Sequence, residues 1–413
     1  MRTVKENCEL AKASVGYLAS LCADSKNKML SLAAKALVDS ADKIIEANGR
    51  DLEKNSDKPK HMLDRLALNL ERIRAMSEGL LKLTELPDPV GEIIEEWTNA
   101  AGLLLRKVRV PFGVIGIIYE ARPNVTADAI GLCIKSGNAV VLRGSKDAVE
   151  SNKAIVETIK SLLSQNGFET DFIQLVEELS HESSEVLMTA RGLIDVLIPR
   201  GSAKLINAVV EKSIVPVIET GTGNCHTYIH ESADYDIAEK IILNAKLRRP
   251  SVCNALESIL IDESVAEKFL PGILTALTER GVEIRGCAKT KKLFPACKPA
   301  SEEDYYTEFL SLTASCKVVK DYNEAIAHIN KYGSGHSEAI AASDEKAVSE
   351  FMKYVDSAAV YHNASTAFTD GFEFGLGAEM GISTQKLHAR GPLGLKELTC
   401  FKYRIYGNGQ IRK

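Results

Sequence analysis

The chain has 413 residues, a formal net charge of −5, 45% hydrophobic residues and 26% charged residues. That length exceeds one compact core and that composition excludes disordered and fibrous classes, so two or three globular domains are expected. The mild negative charge, with no long Lys or Arg run, argues against nucleic acid as a partner, and no stretch nears the roughly 18 apolar residues of a membrane span.

The opening MRTVKENCELAK lacks the apolar core of a signal peptide, so a cytoplasmic location is expected. From Lys12 to about Leu86 apolar residues recur at helical spacing, as in AKALVDSADKIIEA, and Asn48-Gly49 is read as a helix C-cap. Pro87 and Pro89 end this helical layer, and LLLRKVRV from Leu103 and PFGVIGIIYEA read as strands. After Pro123 the strands AVVLR, FIQLV, DVLIPR and VPVIE alternate with amphipathic helices, a rhythm that predicts parallel β-α-β units. A second alternation begins near Tyr228, with helices over Asp236–Leu247 and Ala266–Arg280, the strand ESILID, and later helices over Glu324–Lys331 and Asp344–Val355. Two α/β domains in firm contact are therefore expected, with the cleft between them as the default site.

The nine cysteines are scattered and form no C-x-x-C pair, so neither disulfides nor a metal site is expected. Cys253 stands out because LRRPSVCNALES puts it in a polar, Pro-broken connection between a helix and a strand, with Arg248 and Arg249 nearby in sequence. Positive charge favours thiolate over thiol, which makes Cys253 a candidate nucleophile; a buried structural cysteine is the competing reading. No G-x-G-x-x-G follows a strand, since GTG at Gly221 and GLG at Gly375 do not complete the spacing. In AVVLRGSK a strand ends at Arg143, followed by Ser145 and Lys146. Basic residues at such a strand end accommodate a ribose 2′-phosphate and so favour NADP(H), although a solvated basic turn would look the same. Gly201 and Ser202 of PRGSAKLI fall at a strand-to-helix turn able to attract phosphate, or to hold no ligand. The glycine-rich FTDGFEFGLGAEMG suits an active-site loop or a structural coil equally.

These segments together resemble the aldehyde dehydrogenase superfamily and, within it, the γ-glutamyl phosphate reductases. The most specific mark is VKDYNEAIAHINKYGSGHSEAI, Val319 to Ile340, with His328, His336, Ser337 and Glu338. VPFGVIGIIYEARPNVT, NASTAFTDGFEFGLGAEMG and STQKLHARGPLGL carry it further, so it runs almost end to end. Pro250, Ser251 and Val252 stand where hydrolytic relatives carry G-Q-x before the cysteine, which is the reductase-like form. With no kinase domain ahead of it, the chain resembles the free-standing form of the reductase.

The resemblance implies an α/β fold with a Rossmann-like cofactor domain over residues 1–95 and 113–225, a catalytic domain over 226–385, and an oligomerisation element from 96–112 and 396–413. It implies NADPH-dependent reduction of L-glutamyl 5-phosphate to L-glutamate 5-semialdehyde in proline biosynthesis, with phosphate released from a Cys253 thioester. Asn124 would donate to the oxyanion and Glu308 would lie near the nicotinamide ribose; no metal is required. The amino-acid end of the substrate needs donors and an acceptor, for which Arg122, Asn363, Ser365 and Thr366 are expected; for Arg122 a structural ion pair is an equal reading. Glu219 falls where hydrolytic relatives carry a general base, but a reductase gains nothing from hydrolysis, so a structural or positioning role is expected. A homo-oligomer, with substrate delivered by glutamate 5-kinase, completes the picture. A CoA-acylating aldehyde dehydrogenase and a non-enzymatic small-molecule sensor on the same fold are the alternatives.

Overall fold

The helical spacing at the start of the chain yields five helices in the computed structural model, which describes residues 2–412. They are α1 (Val4–Ser20), α2 (Ala23–Asp39), α3 (Ala41–Lys54), α4 (Lys60–Leu66) and α5 (Leu70–Glu85). Thr3 starts the first with a capping box, its side chain accepting from the Glu6 N–H while its own N–H donates to the Glu6 carboxylate. The apolar stripe Met29, Leu30, Ala33 and Leu37 of α2 is fully buried, as are Ile73 and Leu80 of the neighbouring α5.

Asn48-Gly49 does not close a helix; α3 runs through it to Lys54. Asn48 is buried and spends its side chain on distant partners. Its Nδ2 donates to the Leu66 carbonyl at 2.9 Å and to Ser151 Oγ at 3.0 Å, while its Oδ1 accepts from the Leu68 N–H at 2.7 Å.

The chain continues through β1 (Ile93–Thr98), β2 (Leu104–Pro111), β3 (Val114–Tyr119), α6 (Asn124–Ser136), β4 (Ala139–Arg143), α7 (Val149–Gln165), β5 (Ile173–Leu175), α8 (His181–Thr189), β6 (Val196–Arg200) and α9 (Ala203–Lys212). Strands β3 to β6 form a parallel four-stranded sheet in the order β5-β4-β3-β6, and all of β3 is buried, as helix-covered parallel strands require. VPVIE, expected as a further strand, contributes only one bridge, Val217 to Leu197. Pro216 accepts from the Leu197 N–H but has no N–H to carry the ladder on.

The seven remaining strands of the second alternation form one parallel sheet in the order β10-β9-β11-β8-β7-β12-β13. They are β7 (Cys225–Ile229), β8 (Leu256–Asp262), β9 (Glu283–Gly286), β10 (Lys298–Pro299), β11 (Thr313–Val319), β12 (Ser337–Ala341) and β13 (Ala359–His362). Between them run α10 (Tyr235–Leu247), α11 (Glu263–Thr278), α12 (Ala288–Leu293), α13 (Glu302–Tyr306), α14 (Tyr322–Tyr332) and α15 (Glu345–Tyr354). Ile259, Ile261, Leu270, Ile273 and Leu274 form the centre of an apolar core between β8 and α11. A short β14 (Ile382–Ser383) pairs with β15 (Gly391–Pro392), and the final β16 (Thr399–Tyr406) returns to pair with β2, giving an antiparallel sheet β1-β2-β16.

Two units result. The first holds residues up to Thr220, Gly375–Gly381 and the stretch from Leu393; the second holds Gly221–Phe374 and Ile382–Pro392. The four-stranded sheet and the β1-β2-β16 sheet both lie in the first unit, and the seven-stranded sheet lies in the second.

Gly49 sits inside α3 with no heavy atom within 4 Å of where its Cβ would be. Gly49→Ala is therefore expected to stabilise the protein by about 0.5–1 kcal/mol in denaturant melts, since helical Gly carries an entropic penalty. A loss of stability would indicate that the backbone at residue 49 needs glycine's freedom after all.

Candidate active site

The catalytic candidate of the second unit is built at the amino ends of its strands. Asp234 caps α10, Pro250 interrupts the chain beyond it, and a turn leads into β8 with Cys253 partly exposed at its crest. The Cys253 carbonyl is gripped from below. It accepts from the Cys225 thiol at 3.1 Å, and it packs so closely on Gly223 that a Cβ there would lie 1.5 Å from the carbonyl oxygen.

The next residue holds the loop from the other side. Asn254 is buried, its Nδ2 donating to the carbonyls of Ala367 at 3.2 Å and Thr369 at 3.0 Å, while its own carbonyl accepts from Thr366 Oγ1 at 2.8 Å. A hydroxyl relay continues behind it: His336 Nδ1 to Ser337 Oγ at 2.7 Å, Ser337 Oγ to Thr369 Oγ1 at 2.6 Å, and Tyr361 to Thr369 at 2.7 Å.

Burial pushes the Cys225 thiol far above the ordinary cysteine range, and Glu338 and other charges push the same way. Cys225 is thus kept as an S–H donor, and Cys253 is the thiol of this cluster that a substrate can reach. Arg248 and Arg249 are exposed. Glu308 Oε1 accepts from the Gly223 N–H at 2.7 Å, which braces the glycine that in turn supports Cys253.

In the Asn363–Thr366 stretch, expected to meet substrate, Asn363 is exposed and Ser365 and Thr366 are buried. Asn363, at φ 51°, spends its side chain on the backbone of Ala342. Ser365 caps a short turn by accepting from the Ala367 N–H, and Thr366 holds Asn254. Thr366 thereby ties this stretch to the residue that follows Cys253.

In the first unit the strand order steps outward from β3 to β4 to β5, then returns to place β6 on the other side of β3. That reversal is where parallel α/β sheets bind ligands, beyond the carboxyl ends of the strands. Glu120, Arg122 and Asn124 follow β3 there, Gly201 and Ser202 follow β6, and Arg143 ends the adjacent β4.

Asn124 is exposed as the first residue of α6 and donates from Nδ2 to Asp128 at 3.1 Å. Burial pushes the Asp128 carboxyl up to about 6, opposed by that hydrogen bond and by the charge of Arg200. Arg122 and Glu219 are half-buried. Arg143 donates to the Ser180 carbonyl at 2.9 Å, has a buried Nε with no protein partner, and is held below the ordinary guanidinium range by burial. Ser145 caps the turn that begins at the exposed Lys146.

The turn read as a phosphate seat holds an anion of the chain's own. The Glu120 carboxylate accepts from the Ser202 N–H at 3.0 Å and from its hydroxyl at 2.5 Å, at the start of α9. A Cβ on Gly201 would lie 2.7 Å from the Glu120 carboxyl carbon. Among the described residues no group of three His, Cys, Asp or Glu side chains is arranged to hold a metal ion.

Gly223 escaped notice in the sequence. GTGNC was tested as a dinucleotide loop and failed, yet a Gly two residues before a buried strand is the mark of a close backbone approach.

Gly223→Ala is expected to shift the Cys253 carbonyl and slow iodoacetamide labelling of Cys253 in the folded protein, with a loss of turnover of about 10²-fold. Unchanged labelling and turnover would show that the loop does not depend on this contact.

Residues 1–286 match the family described as the aldehyde dehydrogenase family. The γ-glutamyl phosphate reductase of Heliobacterium modesticaldum is 55% identical over 404 residues, covering 97% of each chain. That of Caldanaerobacter subterraneus subsp. tengcongensis is 52% identical, covering 99% of this chain and 100% of its own. The crystal structure of γ-glutamyl phosphate reductase from Thermotoga maritima superposes over 100% of both chains with a TM-score of 0.97 at 43% identity. With this agreement in sequence from end to end, and the same fold, the chain belongs to the aldehyde dehydrogenase family, within its γ-glutamyl phosphate reductases.

Proposed function

We propose that the protein reduces L-glutamyl 5-phosphate to L-glutamate 5-semialdehyde, releasing phosphate, by way of a thioester on Cys253. The reading is carried by the 55% identity to a reductase of that name across 97% of both chains. The partly exposed Cys253, backed by a donor thiol and a glycine, supplies the nucleophile that this chemistry needs.

The Cys253 thiolate attacks the acyl carbon, and the C–O bond to phosphate breaks with its electron pair leaving on phosphate. A nicotinamide dinucleotide supplies the hydride that adds to the thioester carbon. The tetrahedral thiohemiacetal oxyanion then reforms its C=O as the C–S bond breaks, the electron pair leaves on sulfur to restore the Cys253 thiolate, and the aldehyde departs. Asn124 is assigned as a donor to the oxyanion formed at both stages. Glu219 takes no part as a base, because hydrolysis would discard the activated acyl group.

We assign NADP(H) as the cofactor, with Arg143 and Lys146 toward the 2′-phosphate and Ser145 in the same turn. The unpartnered Arg143 Nε suits an anion. Gly201 and Ser202 take a phosphate once Glu120 withdraws, Glu308 serves the nicotinamide ribose, and Arg122 the substrate carboxylate. Nine free cysteines suit the reducing cytoplasm. Trp97, Phe401, Tyr403, Ile405 and Tyr406 expose an unusual amount of apolar surface on the β1-β2-β16 sheet, which supports self-association. An acyl phosphate decays in water, which favours transfer from glutamate 5-kinase. An acylating reading has less support: an acetylating aldehyde dehydrogenase of Geobacillus thermoglucosidasius is 17% identical, a likeness of fold alone.

Cys253→Ala is expected to abolish phosphate-dependent reduction of NADP+ by the semialdehyde while NADPH still binds. Residual turnover near the parent level, or a demand for CoA in place of phosphate, would overturn the mechanism. Replacing Arg143 and Lys146 together with Gln is expected to raise the KM for NADPH by about tenfold, roughly 1.4 kcal/mol, and to spare NADH. Equal losses with both cofactors would remove the pair from this role.

A further inference from the structure

Lys246 and Glu257 form an ion pair with both side chains 0% exposed and Nζ 2.7 Å from Oε2. Lys246, near the end of α10, also donates to the Leu256 carbonyl at 2.8 Å. A pair this deep gains little net stability over apolar residues of the same shape, so stability alone does not account for it.

The second Glu257 oxygen supplies one. Oε1 accepts from the Leu310 N–H at 3.1 Å, and Leu310 sits at φ 51°, a left-handed conformation costly for a branched side chain. Two residues earlier, Glu308 reaches the Gly223 N–H at 2.7 Å, and Gly223 carries the Cys253 carbonyl. Leu310 and Glu308 share the one connection between α13 and β11. A continuous path therefore runs Lys246, Glu257, Leu310, Glu308, Gly223, Cys253. Burial pushes the Glu257 carboxyl up to about 7 in spite of the opposing pull of Lys246, and in either protonation state an oxygen remains to accept from the Leu310 N–H.

We infer that Glu257, with Lys246 as its buried counter-ion, is a positioning residue: by holding the Leu310 N–H it fixes the turn that aims Glu308 at the cofactor ribose and braces the Cys253 loop. The inference rests on the roles proposed above for Glu308 and Cys253.

Two double variants isolate the acceptor. Lys246→Met with Glu257→Gln removes both charges but leaves an amide oxygen for the Leu310 N–H; Lys246→Met with Glu257→Leu removes the oxygen as well. The first is expected to keep the cofactor KM within about threefold of the parent and the second to raise it about tenfold or more, with slower iodoacetamide labelling of Cys253. A merely structural pair would lower the melting temperature of both doubles without separating their KM values, and equal KM and labelling in the two would overturn the inference. Glu308→Ala keeps the two ideas distinct. If it leaves cofactor KM unchanged, the ribose role of Glu308 falls, and the labelling rate becomes the readout on which the doubles must differ. Should neither double fold, amide exchange in the parent protein decides, since a rapidly exchanging Leu310 N–H would overturn the proposal.

Discussion

Among the described glycines the tightest constraint is the approach of the Cys253 carbonyl to Gly223, which no other residue type could allow. Around this contact the flanking groups fall into place. Asn224 donates to the carbonyls of Tyr305 and Tyr332, and its N–H to Ser334, so the residue after Gly223 is tied to two helices. A register shift between Cys225 and His226 then turns the Cys225 thiol toward the Cys253 carbonyl. Glu338 holds that irregularity, accepting from the His226 N–H at 2.6 Å and contacting its ring at 3.0 Å. The most specific segment of the sequence is thus a set of buried polar groups behind the nucleophile, rather than a row of substrate contacts.

The two parallel sheets use opposite edges. In the first unit the cofactor candidates follow the carboxyl ends of β3, β4 and β6, at the point where strand order reverses. In the second unit Cys225 begins β7, Cys253 precedes β8, Leu310 precedes β11 and His336 precedes β12, all at amino ends. A strand's amino end usually returns from a helix through a short connection. Here the connections before β8 and β11 are lengthened by Pro250 and by the left-handed Leu310, which gives each room to present a side chain.

Periodicity and composition revealed the helical layer, the two α/β alternations and the polar loop around Cys253, because each of these is encoded within about fifteen consecutive residues. The failures share a different cause. Asn48 looked like a helix end because its partners, Leu66, Leu68 and Ser151, lie up to 103 residues away. VPVIE had the right residues for a strand, and a single proline denied it a ladder. The long-range backbone partners of Asn363 and Thr366, Ala342 and Asn254, were equally hidden from local sequence. Buried pairs such as Lys246 with Glu257 are the extreme case: eleven residues apart in sequence, they read as an ordinary helix end and an ordinary strand polar residue.

Glu120 gives the start of α9 a resident counter-charge. Any phosphate that takes this seat does so by exchange, returning a carboxylate to water as it gains the helix end. Affinity for a phosphate there would then be the difference between two anions, not the full attraction of one. Selectivity at such a seat depends on which anion suits the geometry better, so a ligand with only a charge to offer wins little.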